Sequence, residues 1–335
     1  MTRPPHISVA PMMDWTDRHY RAFMRTITAH TLLYTEMITA TAIIYGDRDH
    51  LLGFDRSEHP LALQLGGDDP AQLAEAVRIA SDYGYDEFNL NVGCPSDRVQ
   101  NGHFGACLMA RPERVADIVD AMSRATDRPV TVKHRIGIDG RESYEDMLAF
   151  VDQVAAAGVS RFTVHARIAV LGGLSPKENR SVPPLRYDDV YRLKRERPSL
   201  WIEINGGVRG HQQIAGHLQH VDAVMLGRAA YEQPYLFADV DQRYFDSAGA
   251  VPSRQEIVER YTEYCVAAQA RGVKPRRLVQ HVLGLFAGRP GARAWKRELS
   301  GKLSDHSARQ LMAAAIKRVP EHVRRERPIV TTAAA

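Results

Sequence analysis

Cys94 stands at the end of Asp86-Glu87-Phe88-Asn89-Leu90-Asn91-Val92-Gly93-Cys94-Pro95, an apolar strand that runs into a turn loosened by glycine and stopped by proline. A strand mouth is where an enzyme places a reacting group. A single free cysteine is more often a small buried apolar residue, so the position gains meaning only because the pattern repeats. Other apolar runs end in Ala10-Pro11-Met12-Met13-Asp14, Gln64-Leu65-Gly66-Gly67, Lys133-His134-Arg135, His165-Ala166-Arg167, Asn205-Gly206-Gly207 and Gly227-Arg228. The chemistry on offer is a thiol, an amine, an imidazole, two amides and two glycine turns whose backbone N–H groups, with Arg228 beside them, can cradle a phosphate. Taken singly, Lys133 is equally explained by a rim ion pair and His165 by a satisfied core histidine.

The elements that must position these groups alternate. Strands read near 7–12, 32–37, 61–65, 87–92, 130–134, 161–165, 201–205 and 223–226, with helical patterns between them. Asp69-Pro70 opens a helix that Gly84 closes, Arg111-Pro112 opens another through Ala125, and Ser143 with Asp146 caps the stripe Met147, Phe150, Val151, Val154. Eight β/α repeats over residues 1–245 predict an α/β fold, a (β/α)8 TIM barrel, and no G-x-G-x-x-G phosphate turn argues for a doubly wound sheet. In such a barrel the chemistry lies at the C-terminal rim, and a phosphate sits after strands seven and eight. Residues 254–270, 276–287, 292–299 and 308–318 read as helices, so a small all-α helical bundle domain is expected over 250–325, with a flexible tail at 326–335.

A phosphate on one side and Gln64, Lys133 and His165 in the middle suit a flat phosphorylated cofactor. FMN fits, because a buried lysine stabilises negative charge on the reduced ring and an amide pairs with its carbonyl and imide edge. Pyridoxal phosphate is the rival, since a barrel lysine can form a Schiff base.

Bulk properties narrow the classes. Of 335 residues, 44% are hydrophobic and 25% charged, which predicts a folded chain with a sizeable core. The N-terminal residues lack a signal-like apolar run and no stretch reaches the ~18 apolar residues of a membrane span, so a cytoplasmic protein with no membrane association is expected. Cysteines at 94, 107 and 265 have neither Cys-x-x-Cys nor zinc spacing, so no disulfide framework and no metal are expected, and Cys107 and Cys265 read as packing residues. The formal net charge of +4 hides an asymmetry: residues 271–335 hold 15 Lys/Arg against 4 Asp/Glu, leaving −7 on the first 270. A basic region on an acidic body is a candidate polyanion site.

Together A-P-M-M-D-W-T-D (10–17), Q-L-G-G (64–67), N-L-N-V-G-C-P-S (89–96), V-K-H-R-I-G-I-D (132–139), V-H-A-R (164–167), I-N-G-G (204–207) and M-L-G-R (225–228) resemble the flavin-dependent tRNA-dihydrouridine synthases. The segment G-L-S-P-K-E-N-R-S-V-P-P-L (173–185) is similar to their bacterial A-type subfamily. The resemblance implies FMN bound by Pro11, Met12, Met13, Gln64, Lys133, His165, Asn205, Gly206, Gly207, Gly227 and Arg228, with NADPH as reductant. It also implies Cys94 as general acid, Asn91 against the target nucleotide, and Lys177, Arg180, Arg293 and Lys296 holding tRNA while a D-loop uridine at position 20 or 20a is reduced. No separate nicotinamide motif is visible, and no protein partner is indicated. Residues alone leave two alternatives: an FMN barrel acting on a free pyrimidine, of dihydroorotate or dihydropyrimidine dehydrogenase type, or an RNA-binding chaperone on an idle barrel. The basic region speaks against the first and the full set of rim groups against the second.

Overall fold

The computed structural model describes residues 6–301 and 307–330. Its strands are β1 (Ile7–Val9), β2 (Leu33–Tyr34), β3 (Ile38–Thr39), β4 (Leu61–Gly66), β5 (Glu87–Val92), β6 (Val130–Arg135), β7 (Arg161–His165), β8 (Trp201–Asn205) and β9 (Ala223–Leu226). All pairings are parallel, in the order β1-β9-β8-β7-β6-β5-β4-β2, and a Ser8–Leu32 bridge brings the two ends together. Parallel neighbours require crossovers, and helices such as Pro70–Ser81, Pro112–Ser123 and Tyr144–Ala156 supply them on the outside. The result is the (β/α)8 barrel expected, followed by helices.

Two apolar clusters follow from the alternation of side chains along each strand. The larger, with Leu63, Phe88, Val132 and Phe162, fills the space between strands and helices, while Ala10, Leu32, Tyr34, Ala62 and Met225 form a small cluster of their own. Several buried polar residues of the strands bond to one another. Glu87 accepts from Tyr34 (2.9 Å) and Thr131 (2.7 Å) and pairs with Arg161 at 2.6 Å. Glu203 accepts from Ser8 and Thr163, each at 2.6 Å. Satisfied in this way, these buried polar groups make a rigid floor instead of a liability.

The second expected strand is not continuous. It breaks at residues 35–37 into β2 and β3, and β1 ends at Val9 rather than Met12. In the helical region, Arg254–Ala270 and Ala292–Leu299 fall where expected, Ala308–Ile316 is two residues shorter, and residues 276–287 form only a short helix, Pro275–Val279, that tightens into a 3-10 turn. Capping boxes at Ser253/Glu256 and Ser307/Gln310 start two of these helices. Trp295, fully buried, donates to Val282 O at 3.1 Å and meets Phe286 edge-on at 4.9 Å. The seam with the barrel carries Phe23 against Tyr261 (5.2 Å), Arg254 over the Tyr235 ring (3.7 Å), and the buried His281 paired with Asp17 at 3.1 Å.

A tail free from residue 326 onward is not what the structure describes. Glu326 pairs with Arg289 and Arg254, its carbonyl accepts from Tyr235 at 2.8 Å, and Arg327 pairs with Glu256 at 2.8 Å. Residues 331–335 of that expected tail lie outside the described residues.

Candidate active site

The C-terminal mouth of the barrel encloses a cavity of about 510 Å³, within the ~300–1,000 Å³ usual for small-molecule sites. Into it the fold brings Pro11, Met12, Met13, Gln64, Asn91, Cys94, Lys133, His165, Arg180, Asn205, Gly206, Gly207, Gly227 and Arg228. Lys177, on the exposed segment ahead of the 3-10 turn Glu178–Arg180, is not among its walls, and Arg293 and Lys296 lie on the exposed side of Ala292–Leu299.

Several of the inward groups are held by residues of other strands. Gln64 donates to Asn89 (2.8 Å) and accepts from Asn91 (2.9 Å), and Asn89 donates onward to Thr131 (2.8 Å). The side-chain Oδ1 of Asn91 accepts the N–H groups of Gly93 (3.1 Å) and Cys94 (3.0 Å), closing an Asx-type turn. Asn91 thus builds the loop that carries the thiol. Cys94 is half-buried, and its S–H donates to Ser96 Oγ at 3.4 Å. Lys133 Nζ donates to Asn205 at 3.2 Å, and Asn205 donates to Met225 O at 2.8 Å.

Cations crowd this mouth. Burial and the Arg135 charge hold Lys133 down to about 8, against the opposing pull of Glu203. His165 sits well below the usual histidine range because of burial and the charges of Arg135 and Lys133, so it is a neutral ring. Gly206 and Gly207 have φ of +122° and +74°, the left-handed side that favours glycine. A Cβ on Gly206 would stand 2.9 Å from the His165 ring and from Leu185, and one on Gly207 would stand 2.7 Å from the Tyr187 hydroxyl. Only glycine fits there. A cradle of bare backbone, with an amine, an amide and a neutral imidazole lining the same cavity, matches the donor set of a ring-plus-phosphate cofactor such as FMN. Among the described residues no group of three His, Cys, Asp or Glu side chains could hold a metal ion.

Sequence reading assigned no role to Asp14, Trp15, Met37, Ser96, Arg135, Arg209 or Glu232, which also line the cavity. Of these, Arg135 is the most connected. It is buried, and its guanidinium donates to Gly93 O (2.9 Å), Ile168 O (2.8 Å) and Asn179 O (3.1 Å). Its signal was its place two residues after Lys133, on the same face of the same strand. The other cysteines lie elsewhere: Cys265 is fully buried and pushed up to about 12 by burial, and Cys107 donates to Phe104 O at 3.0 Å.

A parallel barrel with a thiol loop, a lysine and a glycine cradle at one mouth, extended by a helical region, defines a (β/α)8 oxidoreductase-type scaffold. The sequence model of the dihydrouridine synthase family matches residues 8–320. A Synechocystis protein named tRNA-dihydrouridine(20/20a) synthase is 62% identical over 294 residues, 88% of either chain. Proteins of the same name from Shewanella oneidensis and Vibrio parahaemolyticus are 56% identical over 293 residues (88% of this chain, 87% of theirs) and 52% identical over 325 residues (96% and 99%). The chain belongs to the dihydrouridine synthase family.

Proposed function

We propose that this chain reduces uridine to 5,6-dihydrouridine in the D-loop of tRNA, at positions 20 and 20a, using bound FMN and NADPH as reductant. The observation that carries the reading is the Cys94 thiol facing the same cavity as Lys133 and the glycine cradle. The names of the relatives support the substrate and its positions.

Pro11, Met12, Met13, Gln64, Lys133, His165 and Asn205 would hold the ring system of FMN, and Gly206, Gly207, Gly227 and Arg228 its phosphate. When bound and reduced, FMN supplies the hydride that saturates C6 of uracil. The chain itself must then place the base, exclude water and deliver one proton to C5. Cys94 Sγ performs that delivery. An S–H group within hydrogen-bond reach of C5 can give its proton to an enolate-like carbon. Asn91 fixes the height of the thiol loop through its two backbone acceptances and meets the nucleotide beside it. Lys133 or Arg180 stabilises negative charge at the uracil carbonyl. Ser96 Oγ accepts a hydrogen bond from the thiol, whose proton stays on sulfur until the base arrives.

A uridine inside folded tRNA must leave its stack to reach such a cavity. Residues 1–245 form the catalytic barrel in this reading, and 250–325 the domain that grips tRNA. Arg293 and Lys296 recur at i and i+3 on a helix whose opposite face buries Trp295 and Leu299, and neither is engaged by a carboxylate among the described residues. By contrast Arg309 and Arg318, nearby on the same bundle, are each paired with a glutamate. Lys177 and Arg180 hold the substrate from the loop after β7. A free pyrimidine would have no use for the outer cations.

The deciding experiment is a mass-spectrometric map of dihydrouridine in tRNA from cells lacking this gene and from cells with it restored. Loss and recovery confined to positions 20 and 20a is the expected result; an unchanged map would overturn the proposal.

A further inference from the structure

The break in the second barrel strand coincides with a contact at the cavity mouth. Between β2 and β3, Glu36 leaves the ladder, and its Oε1 accepts the N–H of Asp14. Asp14 lies between Met13 and Trp15 on the cavity wall with φ +63°, a left-handed conformation shared among the described non-glycine residues only by His103 and Asp246. The turn around it is otherwise self-contained. Trp15 and Thr16 both donate to Met12 O, at 3.1 and 3.0 Å, and Thr16 Oγ1 accepts the Met12 N–H at 3.0 Å. The Asp14 N–H is the donor that leaves the turn, and Glu36 takes it.

Position and chemistry make this more than a loop contact. Glu36 is partly buried, where an unpaired carboxylate is unfavourable, and no ion pair to it is formed among the described residues. Burial raises its pKa while the Asp14 N–H opposes that rise. On its other side Thr35 Oγ1 accepts the Gln64 N–H at 3.1 Å, so the same short segment touches both the Met12–Met13 turn and the Gln64 wall. Aspartate in the left-handed region is unfavourable unless held, and glycine is the residue that adopts it unaided.

We propose that Glu36 is a positioning residue for the cofactor: it holds Asp14 left-handed and thereby sets Met12 and Met13 at the cavity wall where FMN is bound. This rests on the reading of the cavity as an FMN site. The test is FMN titration of flavin-stripped protein, followed by quenching of FMN fluorescence, for wild type, Glu36→Ala, Glu36→Gln and the double variant Glu36→Ala/Asp14→Gly. Loss of the hydrogen bond should weaken FMN binding about tenfold in Glu36→Ala. Glu36→Gln, whose amide oxygen can accept the same bond, should stay close to wild type. The double variant should recover most of the loss, because glycine needs no holder. An unchanged affinity in Glu36→Ala would overturn the proposal, as would a loss that Asp14→Gly fails to restore. Wild type failing to bind FMN would instead overturn the cofactor reading on which it stands. Far-UV circular dichroism of the same variants shows whether a weakened variant is still folded.

Discussion

At the scale of single residues the proposed reaction divides between one thiol and one amine. Replacing Cys94 by Ala should leave FMN and tRNA bound and remove most turnover; a single-turnover reduction of tRNA as fast as wild type would dismiss the general-acid role. Cys107→Ala should leave that reaction unchanged. Lys133 gives a pH signature. Its pKa, lowered to about 8 by burial and Arg135, means that the ammonium exists below that pH and is lost above it. FMN affinity should therefore fall as pH rises through about 8, and Lys133→Met should bind weakly with no such step. Most of these residues were legible because each sits at the end of an apolar run. Arg135 and Trp15 were not, although both stand inside quoted motifs: nothing in a linear pattern says that a guanidinium will reach three carbonyls, or that an indole will stack on Tyr231 at 4.5 Å.

At the scale of elements, helices and strands were legible where hydrophobic period and caps agreed, as for Tyr144–Ala156 with its Ser143/Asp146 box and the stripe Met147, Phe150, Val151, Val154. They were misread where tertiary contacts override the local pattern. The apolar run 32–37 reads as one strand, yet the ladder stops after Tyr34, and within the gap the Glu36 carboxylate accepts the backbone N–H of Asp14, 22 residues earlier. The helix Ala292–Leu299 is short, and its integrity depends on Trp295. Trp295→Ala should cost about 3–5 kcal/mol, the usual range for a large core aromatic, in a denaturation monitored by far-UV circular dichroism. Charge reversal at Arg293 and Lys296 touches only the exposed face. It should weaken tRNA binding while FMN occupancy holds, and lower the slope of log affinity against log salt by about 1 for each phosphate contact removed. Loss of flavin from that variant would mean that the face has been wrongly separated from the barrel.

At the scale of the whole molecule, the barrel and the helical region share a seam that responds to acid. Burial holds His19, at that seam, down to about 4, and His134, in the barrel wall, also to about 4. The unfolded chain takes up these protons near 6.5 and the folded chain does not until about 4, so stability should fall as pH drops through that window. Asp17 behaves differently: burial pushes it up, but the hydrogen bond and charge of His281 prevail and bring it to about 2. Its contribution is full above the unfolded value of 3.8 and is lost only as pH falls further, toward 2. Urea midpoints measured from pH 7 to 4 should therefore decline, less steeply in His19→Asn. A flat profile would mean that these rings are protonated in the fold. The charge asymmetry behind the polyanion expectation needed only composition to see, whereas the seam, made of pairs such as Asp17 and His281 from opposite ends of the chain, needed the fold. The three carbonyls that Arg135 holds belong to the thiol loop, to the exit of β7 and to the 173–185 segment, so in the proposed reading the loop that would deliver the proton and the segment that would present the tRNA share a single fastening. A shift of the 173–185 backbone would then reach the Cys94 loop through one guanidinium, and the two loops would move as a unit.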